Sequence, residues 1–194
     1  MATQSSDNKK LVFAVVNSDF NDIEKTIHNG LNWPSEPISN RKLIEEIHLT
    51  IQRGGALPSE GGFYYPCIND SKLIFLSNLS DGWDSLLYCL SKKNKSSYLL
   101  FRLLMGEYPL MEMSFIESGK TIRLIRVIKE NKWIFYEVGE PLWFEEKENY
   151  SKRRIADRIT YDLLLSYSRK NGIDFDSPAF FKTEKESLWL NEIR

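Results

Sequence analysis

Apolar residues recur along this chain in two kinds of pattern, and each predicts its element. Leu11 to Val16 is an unbroken β-prone run, which reads as a buried strand ended by Asn17-Ser18. Asp19 then caps a short helix with Phe20, Ile23 and Ile27 at i, i+3 and i+7, and Gly30 stops it. Trp33 to Pro37 reads as a loop. A second helix is expected from Ser39 or Asn40, with Leu43, Ile44, Ile47 and Ile51 on one stripe, up to Gly54-Gly55. Glycine and proline crowd residues 54–71, so this stretch reads as loop, with 54–62 as a seam after an N-terminal βαα unit.

Lys72 to Leu79 predicts a strand, and Ser80-Asp81 caps a helix carrying Trp83, Leu86, Leu87 and Leu90. Four alternating stretches follow. Their apolar series are Leu99, Phe101, Leu103 and Met105; Met111, Met113 and Phe115; Ile122 and Leu124; and Ile134, Tyr136 and Val138. Ser118-Gly119 suits a two-residue hairpin turn, and pairing Glu117 with Lys120 sets Phe115 opposite Ile122 and Met113 opposite Leu124. Asn131-Lys132 suits a second tight turn. Residues 149–170 read as one long helix with Ile155, Ile159 and Leu163 on a stripe, ended by Asn171-Gly172. The tail offers only Pro178 and a turn around Leu188 to Leu190. The order gives an α+β fold: an antiparallel β-meander packed against helices, with an N-terminal βαα unit. Residues 1–9 are expected to be disordered, and 10–194 to form a single domain.

Composition narrows the function. Over 194 residues, 26 Lys and Arg face 27 Asp and Glu, a net charge of −1, whereas a duplex-binding protein carries a cationic excess. No apolar run approaches the roughly 20 residues of a membrane span, and Leu11 to Val16 is too short for a secretory core. With only Cys67 and Cys89 besides, the expectation is a cytoplasmic protein with reduced, partly buried thiols. Catalytic motifs are missing. His28 and His48 lie in expected helices without a G-x-S-x-G elbow, the two cysteines form no C-x-x-C, and no glycine pair joins a strand to a helix as a phosphate cradle does. Neither a metal nor a cofactor is expected. Glu145, Glu146 and Glu148 suit the acidic first turn of the expected long helix, and the cations Lys152, Arg153, Arg154 and Arg158 run beside Asp157 and Asp162.

Residues 137–148 stand apart: five acids against Lys147, a local charge of −4, with Trp143 and Phe144 in the middle. Aromatics rimmed by carboxylates suit a binding surface for a basic partner, made of Glu137, Glu140, Trp143, Phe144, Glu145, Glu146 and Glu148. The competing reading has Trp143 and Phe144 plugging the core, with the acids merely solvated.

Between residues 81 and 176, the chain carries Gly82-Trp83 and a leucine-rich helix, then the hairpin Gly119 to Arg123. Trp133 to Leu142, Phe144-Glu145, Tyr150, Arg153-Arg154 and Asp157-Arg158 follow. In these residues it resembles immunity proteins of bacterial polymorphic toxins and contact-dependent inhibition systems. The resemblance implies a non-enzymatic protein that binds and neutralises one cognate toxin, such as a nuclease with a basic effector domain. Two other readings stay open. One is a small hydrolase or nucleic-acid-processing enzyme using Glu145 or Glu148 with Arg154; the other is a regulatory domain in which residues 10–53 form a binding module. The sequence singles out neither a monomer nor a homodimer.

Overall fold

A computed structural model describes residues 10–31, 35–38 and 60–191. Among these residues, nine strands form one antiparallel sheet: β1 (Lys10–Asn17), β2 (Ser35–Ile38), β3 (Glu60–Tyr64), β4 (Leu73–Ser77), β5 (Ser97–Leu104), β6 (Leu110–Glu117), β7 (Lys120–Lys129), β8 (Trp133–Val138) and β9 (Ser187–Asn191). Their spatial order is β2-β9-β3-β4-β1-β5-β6-β7-β8. Among the described residues, three α-helices accompany them: α1 (Phe20–Lys25), α2 (Asp84–Asn94) and α3 (Tyr161–Lys170). The fold is α+β, with the expected meander as β5 to β8.

Both faces of the sheet are covered, which explains the continuous apolar run of β1. Leu11, Phe13 and Val15 point into a core closed by α3 and the segments around Phe144, Tyr150, Phe175 and Phe180. Val12, Ala14 and Val16 point into a second core closed by Ile23, Ile27 and the α2 residues Leu86, Leu87 and Leu90. The Asp19 cap forms as expected, its carboxylate accepting from the Asn21 amide at 2.8 Å, and α1 continues into a π-helical turn at Thr26–Leu31. The expected helix at 39–54 lies outside the described residues. β1 sits between β4 and β5 in mid-sheet, so it is not laid out as part of a separate N-terminal module.

Long-range pairing changes several expected loops. Ser35–Ile38 pairs with β9, which is itself a strand where only a turn was expected. Within the glycine-rich stretch, Gly61 and Gly62 belong to β3, between β9 and β4. A Cβ on Gly61 would lie 2.7 Å from the Phe75 ring, so the glycine serves close strand packing rather than a turn. The long helix expected at 149–170 is broken into 3-10 turns at Lys147–Ser151 and Ile155–Asp157, followed by α3. Thr160, in extended backbone, caps α3 by accepting from the Leu163 amide. Cys67 and Cys89 are exposed rather than partly buried.

One register correction bears on everything that follows. The Ser118-Gly119 turn has positive φ at both residues and pairs Glu117 with Lys120 as expected, but the ladder shifts after Ile116. Phe115 faces Arg123 and Met113 faces Ile125, leaving Ile122 bulged, exposed and without a residue opposite. Period-2 geometry then reverses the faces of β7: Arg123, Ile125 and Val127 turn into the first core, and Leu124, Arg126 and Ile128 turn to the other side. On that other side Glu112, fully buried, bridges Arg102 and Arg126 from the two flanking strands.

Candidate functional site

The bulge places a guanidinium where a strand would bury a hydrocarbon, and the acidic segment answers it. Arg123 has no exposed surface. Its Nε donates to both Glu145 oxygens at 3.0 and 3.1 Å, and its Nη2 donates to Glu145 Oε2 and Glu137 Oε1, each at 2.8 Å. Its Nη1 donates to the carbonyls of Val138 and Gly139 at 3.2 and 2.6 Å. Burial works against this charge, but the Glu145 and Glu137 carboxylates outweigh it, so its pKa lies above the ordinary arginine value.

Glu145 is likewise buried, and its remaining lone pairs are used. Oε1 accepts from the Leu142 amide at 2.9 Å, and Oε2 accepts from the Tyr150 hydroxyl at 2.6 Å. Tyr150 and Tyr167 hydroxyls lie 3.0 Å apart, and Tyr167 accepts from the Glu146 amide at 2.8 Å. One proton order satisfies all four groups: Tyr167 donates to Tyr150, which donates to Glu145. Burial, and for Tyr150 the bonded Glu145 carboxylate, push both phenols above their usual range. α3 fixes the other side of the loop, Lys170 Nζ donating to the Phe144 carbonyl at 3.0 Å and to Glu146 Oε1 at 2.8 Å. Those contacts hold the Glu146 carboxyl below its usual range.

The seven expected residues therefore separate. Phe144 is 4% exposed and packs edge-on against the Tyr167 ring, so for this residue the core-plug reading holds. Glu145 is an internal counter-charge, Glu137 is exposed but paired with Arg123, and Glu146 is paired with Lys170. Glu140 and Glu148 are exposed. Trp143 is 80% exposed, the most exposed large apolar side chain among the described residues, and meets the Phe144 ring edge-on at 5.4 Å. Counting Arg123 and Lys170 with the segment reduces its charge from −4 to −2.

Sequence reasoning missed Arg123 and the two tyrosines. The available signal was a second alternating series, Arg123-Ile125-Val127, running through β7 in the opposite phase to Ile122-Leu124. The groups required by the hydrolase reading do not converge: Glu145 is consumed by Arg123, and exposed Arg154 pairs with Asp157 at 3.6 Å. Lys152, Arg153 and Arg154 lie on an exposed segment rather than along a helix. Among the described residues no three His, Cys, Asp or Glu side chains form a group able to hold a metal, and no helix is long and apolar enough to cross a membrane. Comparison with known proteins returns no matching family model, no matching curated protein and no matching solved structure.

Proposed function

We propose that this chain is a non-enzymatic binding domain, an immunity protein that neutralises a cognate basic toxin by docking it on the Trp143 loop. The observation that carries this reading is an indole 80% exposed between anchored neighbours, Phe144 and Glu145 on one side and the Leu142 amide on the other. An exposed tryptophan adds little to folding, whereas a rigidly presented one contributes much to an interface, because little side-chain entropy remains to be lost. Glu140 and Glu148 supply an anionic rim that favours a basic surface and speeds its encounter. Blocking by occupancy needs no chemistry from this chain.

The test is co-expression with the product of the adjacent gene, followed by titration of the purified partners. Trp143→Ala is expected to weaken the complex by roughly 30-fold or more, the scale of an aromatic hot spot, with the fold unchanged. Glu140→Lys with Glu148→Lys is expected to slow association and to remove most of its salt dependence. A complex indifferent to both variants, or no complex at all, overturns the proposal.

A further inference from the structure

The same face of the sheet carries a cleft of about 550 Å³ near the β5–β6 turn. Met105, Met111, Trp133, Ile159 and Tyr161 form its walls, and Ala156 lies at its side. Its size lies within the range of small-molecule sites, and its composition is theirs as well: an apolar body with few polar groups. Two methionines give walls that adapt to irregular shapes, and Trp133 and Tyr161 offer ring surfaces on which a cation is stabilised. The Tyr161 hydroxyl donates to Asp176 at 2.7 Å, and the Thr160 oxygen already accepts from the Leu163 amide. Glu107 is the one charged residue in the lining.

We propose that this cleft binds a small organic cation with an apolar body, an aryl- or alkylammonium, its hydrocarbon against Met105, Met111 and Ile159 and its charge toward Glu107. A neutral ligand of the same shape would gain the walls but not the carboxylate, and an anion would be repelled by it. Lys129, beyond Val127 on β7 and opposite Trp133 in the ladder, is exposed. Its charge acts on every probe, so the contrast between probes is the informative readout.

The full chain, isotope-labelled, is titrated with phenethylammonium, 2-phenylethanol and 3-phenylpropionate at neutral pH and low salt, following the amide signals of Gly106, Glu107 and Ala156. The expected order is cation, then alcohol, then carboxylate, with about 3- to 5-fold between the first two, the scale of a solvent-exposed charge pair. Added salt narrows that gap. Glu107→Gln, on an exposed turn, is expected to abolish the gap while the alcohol still binds, and Ala156→Leu to weaken all three probes. Four results overturn the proposal: no saturable shift at these amides, a carboxylate binding as well as the ammonium, a preference that survives Glu107→Gln, or shifts confined to the Trp143 loop.

Discussion

Glu145→Ala removes in one step the acceptors of Arg123, of the Tyr150 hydroxyl and of the Leu142 amide. The side chains of both members of the Arg123–Glu145 pair are fully buried, so the relevant scale is the roughly 3–5 kcal/mol lost when one partner of a buried ion pair is deleted, not the 1 kcal/mol or less of a surface pair. Arg123 keeps Glu137 and two carbonyls, which places the expected loss near the lower end, about 3 kcal/mol. For a chain of this length that is a fall in Tm on the order of 10 °C. Glu145→Gln keeps the shape, but its NH2 must face donors on one side or the other, so its cost is expected within about 1 kcal/mol of that for alanine. The decisive comparison adds Arg123→Met. Once the guanidinium is gone, the second substitution no longer strands a charge, and the double variant should recover at least about 1–2 kcal/mol of the summed losses. Urea unfolding of both singles and the double measures all three quantities. A single-variant loss below about 1 kcal/mol, or losses that simply add, would refute the account of this network.

Three further perturbations probe other features. Tyr64→Phe is expected to be neutral or to stabilise by up to about 1 kcal/mol in the same unfolding assay, because its buried hydroxyl has no hydrogen-bond partner among the described residues; a loss above about 1 kcal/mol would mean the hydroxyl is satisfied. Burial holds Tyr64, Tyr98, Tyr150 and Tyr167 above the usual phenol range, helped by Asp84 at Tyr98 and Glu145 at Tyr150. The unfolded chain therefore releases these protons near pH 10 while the folded chain keeps them. Stability is complete below that pH and falls as pH rises above it. Tyrosinate absorbance from these positions should appear only with loss of near-ultraviolet dichroism, and earlier ionisation contradicts the assignment. Gly139→Ala combines a backbone at φ +76° with a Cβ placed 1.9 Å from the Ile122 carbonyl oxygen, and a cost of at least about 2 kcal/mol is expected by thermal unfolding.

What the sequence made legible was local. The double-sided burial of β1, the Asp19 cap, the leucine face of α2 and the Ser118-Gly119 turn are each written within a few residues, and all four form. What it hid depended on partners far along the chain. β2 and β9 are short; β2 becomes a strand by pairing with β9 across about 150 residues of chain, and β9 by pairing with β2 and β3. The stripe Ile155, Ile159, Leu163 suits a helix as well as it suits the 3-10 turn and bend that carry the first two, and the Thr160 cap decides where α3 begins. In β7 both phases of the alternation contain apolar residues, so hydrophobic pattern alone did not fix the register, and a single bulged residue, Ile122, reversed the face of every position after it.

That one bulge also explains why the acidic segment misleads as a count of charges. Arg123 turned inward needs counter-charge, and the loop after β8 supplies it from Glu145 and Glu137, while the chain path that brings Glu145 inside also buries Phe144 next to it. Phe144 and Glu145 turn inward while Trp143 is left outside, with the Leu142 amide bound to Glu145 on its other flank. The stability of the loop and the exposure of its indole thus have separate residues as their causes. Glu145→Ala should loosen the loop and weaken any complex formed through it in proportion to lost order, whereas Trp143→Ala should leave unfolding unchanged within about 0.5 kcal/mol and act on binding alone. If Trp143→Ala destabilises the isolated protein as much as Glu145→Ala does, the indole belongs to the fold, and the argument for a docking surface loses its basis.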